Sequence, residues 1–96
     1  MLNIEKKVDG RCLIVSLVGE LDAITSPILD REVQEIENVD EVILDLKGLA
    51  YTSSAGLRVI MGLKRRMAGR SLRLENIGTE VREVLDLTGS STLLGL

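Results

Sequence analysis

Three hydroxyl side chains in succession, Thr52, Ser53 and Ser54, run directly into Ala55, Gly56 and Leu57. They separate an apolar run with the character of a buried strand, Val42-Ile43-Leu44-Asp45-Leu46, from a stretch to about Ala68 with the period of a helix. A hydroxyl at such a junction can accept a hydrogen bond from one of the unpaired backbone N–H groups that open a helix. The positive end of the helix dipole also favours negative charge there. The chemistry on offer is therefore that of a helix cap or of a serine placed to carry a phosphate. One cap needs one hydroxyl, and three exceed that need. Ala55 and Gly56 keep the first turn free of bulk, which would let another protein approach the backbone closely. Arg58 lies one turn beyond Ser54, so the two can share a surface.

The rest of the composition removes most other chemistries. There is no histidine, so the commonest general base and the commonest metal ligand are both missing, and Ser-His-Asp or Cys-His catalysis is excluded. No metal-ligand cluster and no cofactor motif is present. The spacing Gly, four residues, Gly-Lys-Ser/Thr that cradles phosphates does not occur, and Gly62-Leu63-Lys64 falls inside a helix as a packing position or a bare patch. One tyrosine, no phenylalanine and no tryptophan leave an aliphatic core and no stacking platform for bases. A net charge of −3 argues against nonspecific nucleic-acid binding, which depends on neutralising phosphates with many basic side chains. The single Cys12 cannot form an internal disulfide. Within Cys12-Leu13-Ile14-Val15-Ser16-Leu17-Val18 it reads as a small strand residue in the core or on a sheet face, with a redox sensor as the alternative. No signal peptide is evident and no run approaches the ~20 apolar residues that span a bilayer, so the expectation is a cytoplasmic chain without a membrane partner.

Ninety-six residues suit one domain, residues 1–96, and strand and helix periods alternate along it. Ile4 to Val8 is a short edge strand, and Asp9-Gly10 is a hairpin signal into a second strand from Arg11 to Val18. Gly19-Glu20-Leu21-Asp22 leaves the sheet. Ser26 as cap and Pro27 at the first helical position open a helix whose Leu29, Val33 and Ile36 share one face. Glu41 to Leu46 is a third, central strand covered on both sides. Ser54 to Ala68 is a helix with Val59, Ile60, Leu63 and Met67 inward and Ser54, Arg58 and Arg65 outward, and Gly69 ends it. Ser71 to Asn76 is a fourth strand. Glu80 to about Leu87 is a last helix ended by Gly89, and the tail from Ser90 to Leu96 adds a possible final strand. The fold class is α/β (α+β): a mixed four- to five-stranded sheet with helices packed mainly on one face.

The run from Leu44 to Ile60, with its apolar strand, Asp45-Leu46 pair, Tyr51, hydroxyls and Ala55-Gly56-Leu57, resembles the signature of the STAS-domain anti-sigma-factor antagonists. Gly19-Glu20-Leu21-Asp22 is similar to that family's loop after the second strand, and Leu87-Thr88-Gly89 resembles its C-terminal helix end. The resemblance implies that Ser54 is the phosphoacceptor, with Ser53 as the alternative because some relatives carry Asp at that preceding position. It implies that Asp22 lies close to the phosphoacceptor. A turn or cap role for Asp22 stands beside that reading, since Asp favours such places. The implied surface comprises Asp22, Thr52, Ser53, Ser54, Ala55, Gly56 and Arg58. Its implied partners are an anti-sigma factor with serine kinase activity and a separate serine phosphatase, so the chain is a substrate and not an enzyme. The alternative within the same fold is a sensing or scaffold module, in a transport or stress-signalling assembly, whose Ser54 is never modified.

Overall fold

The computed structural model describes residues 1–96. The first two strands, β1 (Leu2–Asp9) and β2 (Cys12–Leu21), form an antiparallel hairpin that pairs Leu2 with Gly19 and Asp9 with Cys12. The turn itself is Gly10-Arg11, one residue later than Asp9-Gly10, because Gly10 supplies the positive φ of 62° that the first loop position requires. Helix α1 (Ser26–Gln34) then carries the chain to β3 (Glu41–Thr52), parallel to β2, and helix α2 (Ser54–Arg66) carries it to β4 (Ser71–Glu75), parallel to β3. The sheet is mixed, in the order β1-β2-β3-β4.

The period-2 pattern decides which face is covered. Leu13, Val15 and Leu17 of β2 and Val42, Leu44 and Leu46 of β3 are buried, facing Leu29 and Val33 of α1 and Leu57, Ile60 and Leu63 of α2 in one continuous aliphatic core. Helix α3 (Thr79–Leu87) adds Val81 and Leu85. The alternate residues Ile14, Ser16, Ile43 and Asp45 are only half-buried, on a face that carries no helix. The expectation that β3 is covered on both sides is therefore corrected: its apolar continuity comes from Ile43, a β-branched residue tolerated on a half-open face. Cys12 sits on that face too, donating from Sγ to Glu41 Oε1 at 3.7 Å. Burial first, and the Glu41 charge second, push its thiol pKa up, which disfavours the reactive thiolate.

Strand β3 runs six residues past Leu46. Its extension pairs with an extension of β2 through register shifts between Ser16 and Val18 and between Gly19 and Glu20. Gly48 permits the close approach, since a Cβ there would stand 2.7 Å from Val18 Cγ2.

The tail after α3 is helical, not a fifth strand. Gly89 takes a left-handed φ of 74°, and a short helix, α4 (Ser90–Leu93), comes next. The tail folds back so that Leu94 is buried. The hydroxyls here find local partners, exposed Thr88 Oγ1 donating to Val84 O at 2.8 Å and buried Ser91 Oγ donating to Asp86. The start of α1 also differs from expectation: Thr25 holds the cap position, with Ser26 and Pro27 as the first two helical residues. Ser26 N already donates to Asp22 O at 2.8 Å, the i→i−4 bond of a helix that has begun.

Candidate functional site

Two parallel strands lying side by side end together, so the loops that leave them emerge side by side as well. Leu21 of β2 is the register partner of Thr52 of β3. The next residue of each chain segment, Asp22 and Ser53, therefore opens two neighbouring loops on one end of the sheet. A backbone bond from Ser53 N to Leu21 O, 2.8 Å, ties the junctions to one another.

The three hydroxyls have three different environments. Thr52 is 1% exposed, and its Oγ1 donates to Ser53 O at 3.2 Å. Ser53 is the N-cap of α2, in extended conformation at φ −92° and ψ 176°, and its Oγ accepts from Gly56 N at 3.4 Å. Ser54 is the first helical residue and is exposed, and no hydrogen bond within the chain engages its hydroxyl. The surplus over one cap is thus real, and it resides in Ser54. Ala55 is half-buried and Arg58 exposed, with no ion pair in the chain using that guanidinium.

Gly56 serves the interior. A Cβ at Gly56 would stand 2.5 Å from Thr52 Oγ1 and 2.7 Å from Leu21 Cγ, so its missing side chain lets α2 seat against the ends of β2 and β3. The expectation that Gly56 opens the backbone to a partner is corrected on that ground, and buried Thr52 likewise contributes support, not surface.

Asp22 acts as a local cap. Its Oδ1 accepts from Ile24 N and Thr25 N, each at 2.9 Å, and these bonds, the Thr25 N–H first, hold its carboxyl below the usual carboxylate range. Thr25 completes the loop: its Oγ1 donates to Glu20 O at 2.8 Å and accepts from Asp22 N at 2.9 Å.

Beside Ser54, a cleft of about 320 Å³ separates Ala23, Pro27 and Asp30 on the α1 side from Ala55, Arg58 and Val59 on the α2 side. Next in sequence to Ala23 and Pro27 of that lining, two apolar residues stand in the open, Ile24 at 83% exposure and Ile28 at 46%. Sequence reasoning missed these neighbours. The available signal was Ile28, an isoleucine off the Leu29-Val33-Ile36 stripe of its own helix, which a core-forming pattern does not require. No three His, Cys, Asp or Glu side chains gather closely enough to hold a metal ion. No helix is long and apolar enough to cross a membrane.

The STAS domain model matches residues 3–95. The chain belongs to the STAS domain family. It is 28% identical to the anti-sigma-B factor antagonist of Bacillus subtilis strain 168, over 99% of this chain and 90% of that one. It is 31% identical to the anti-sigma F factor antagonist of Paenibacillus polymyxa, over 92% and 80% of the two chains. Among solved structures, an anti-sigma factor antagonist from Mycobacterium paratuberculosis superposes with a TM-score of 0.90 at 19% identity, covering 97% of this chain and 82% of that one. The Bacillus cell fate determinant SpoIIAA in its phosphorylated form superposes with a TM-score of 0.74 at 21% identity, covering 99% and 86%. At those identities the structures speak to the fold, which is that of this STAS chain throughout.

Proposed function

We infer that this STAS chain is an anti-sigma-factor antagonist, a protein-binding module and not a catalyst, which works in the cytoplasm by occupying an anti-sigma factor and so freeing a sigma factor. Docking uses the first turn of α2 together with the Asp22 loop, with Ile24 and Ile28 supplying apolar contact beside the polar residues. The anti-sigma factor carries serine kinase activity and phosphorylates Ser54; a separate serine phosphatase resets the chain.

The observation that carries this reading is the division of labour among the hydroxyls: Ser53 is engaged as the cap, whereas Ser54 is exposed and unbonded beside it. It favours Ser54 over Ser53 as the acceptor. A phosphate adds about −1.5 to −2 charge. One such group about 6 Å from a partner carboxylate costs on the order of 4 kcal/mol at an effective dielectric of about 20, before salt screening. Each 1.4 kcal/mol is about tenfold in affinity, so repulsion at the contact releases the partner with no change of fold.

The test is to incubate the purified chain with ATP and candidate anti-sigma kinases, locate phosphate by mass spectrometry, and measure partner binding for Ser54→Ala and Ser54→Asp. The expected result is phosphate on Ser54 alone, none on either variant, retained binding by Ser54→Ala, and at least about tenfold weaker binding by Ser54→Asp. Phosphate on Ser53, or equal binding by both variants, sinks the reading and leaves the unmodified sensing or scaffold module in its place.

A further inference from the structure

The free edge of β1 has a property that neither the Ser54 surface nor the core requires. We propose that this edge is a self-association site, at which a second copy of the chain pairs antiparallel with β1 about a two-fold axis through Lys6 and continues the sheet across both molecules.

The parity of the hairpin selects which backbone groups are available. Asp9 and Cys12 close a two-residue turn, so they exchange hydrogen bonds, and the odd-numbered residues of β1 direct their N–H and C=O toward β2. Glu20 N donating to Met1 O at 3.2 Å gives the same parity at the other end of the strand. Ile4, Lys6 and Val8 therefore present their backbone N–H and C=O outward. A two-fold axis through Lys6 pairs Lys6 with Lys6 of the second copy and Ile4 with Val8, so every outward group in the strand's centre gains a partner.

The side chains agree with that register. On the helix-free face, Glu5 meets Lys7 of the second copy and Lys7 meets its Glu5, two oppositely charged cross-strand pairs generated by one symmetry operation. Both residues are exposed, and neither side chain has a hydrogen bond or ion pair within its own chain. On the helix-bearing face, Val8 is 68% exposed and gains apolar cover from Ile4. The two Lys6 side chains approach one another, a repulsive contact by itself, but each is bonded to its own Glu32 and lies by a cleft of about 220 Å³ that Glu32, Glu35 and Glu37 also line. The second copy brings the same three carboxylates with its lysine, so each ammonium meets the other already paired with its own Glu32, which offsets the repulsion. An axis through Val8 would pair only the strand's last residues, and one through Ile4 would set Glu5 against Asn3. Edge lysines ordinarily discourage strand pairing; here each Lys7 has a Glu5 waiting at its symmetric position. An edge contact of this kind falls at the small end of specific interfaces, so the association is weak and concentration-dependent.

The experiment is sedimentation velocity on the full chain from about 10 μM to about 1 mM, with backbone amide exchange at both ends of that range. The expected result is a monomer–dimer equilibrium with slowed exchange at Ile4, Lys6 and Val8 and unchanged exchange at Glu5 and Lys7, which already bond to β2. Glu5→Lys and Lys7→Glu each turn both cross-strand pairs into like-charge pairs and weaken the dimer about tenfold or more. Mixing those two variants, or combining them in one chain, restores opposite charges and restores the dimer. A monomer at every concentration, a dimer indifferent to the single reversals, or exchange unchanged at Ile4, Lys6 and Val8 overturns the proposal. Because the wild-type exchange pattern is read without any substitution, a poorly folding variant does not rescue it.

Discussion

The two helix starts that follow the paired ends of β2 and β3 are built from nearly the same residue types and do different things. The α1 start holds Asp22, Thr25 and Ser26; the α2 start holds Thr52, Ser53 and Ser54. In the first, the polar groups are all engaged. Asp22 Oδ1 caps two N–H groups, Thr25 Oγ1 bridges Glu20 O and Asp22 N, and Ser26 Oγ donates to Asp22 O. In the second, Thr52 is buried, Ser53 caps, and Ser54 is left over. A cluster of capping residues thus signals function only through its surplus, and the surplus is visible only after the caps have been subtracted.

The largest effect that tests this division comes from Gly56. If its bareness belongs to the interior, Gly56→Val overpacks against Leu21 and Thr52 and costs about 2 to 3 kcal/mol, read as a lower urea midpoint at unchanged m-value. A variant as stable as the wild type would return Gly56 to the docking surface. Thr25→Ala comes next. It strips a buried hydroxyl from Glu20 O and Asp22 N, and about 1 to 2 kcal/mol is expected from the unpaired groups it leaves.

Ser53→Ala removes the α2 cap. The bond is long, at 3.4 Å, so the expected loss is about 0.5 to 1 kcal/mol, at the low end of cap substitutions. Asp22→Asn has a smaller consequence near neutral pH, because the amide oxygen still accepts the two backbone bonds. Its effect lies in acid. The Asp22 carboxyl is held below its unfolded value, so its contribution is present above about pH 4 and is lost as pH falls through the folded value. Asp45, bonded first by Asn76, and Asp86, bonded first by Ser91, behave the same way. Urea titrations at descending pH should therefore show a shallower acid loss for Asp22→Asn than for wild type, with the remaining slope belonging to the other carboxylates.

Much of this molecule is legible in the chain alone, for identifiable reasons. Leu29 and Val33 at helical spacing, and Leu13, Val15 and Leu17 at strand spacing, place α1 and β2 because each pattern has one physical solution once a single core must be shared. The candidate site is legible as a hydroxyl surplus, and the run from Leu44 to Ile60 carries the family. What escapes depends on contacts between distant segments. The β3 extension needs the bulged end of β2 to pair with. The tail's helix needs the buried place of Leu94, and the inward role of Gly56 needs Leu21 at 2.7 Å. Ile24 and Ile28 escape because an apolar residue in a chain pattern carries no mark of whether it will be covered.

The smallest effect is the most discriminating. Ser54→Ala deletes a hydroxyl that bonds to nothing in the chain, at an exposed first-turn position where alanine is the better helix former. Stability should therefore change by no more than about 0.5 kcal/mol, and the sign should lean toward gain. Set beside Ser53→Ala, one residue away and chemically identical, this makes a paired measurement in which only the cap differs. If Ser54→Ala destabilises the fold as much as Ser53→Ala does, the two serines share the cap and no hydroxyl is surplus. If it is neutral, the fold has no use for this oxygen, and whatever keeps a serine there acts from outside the chain.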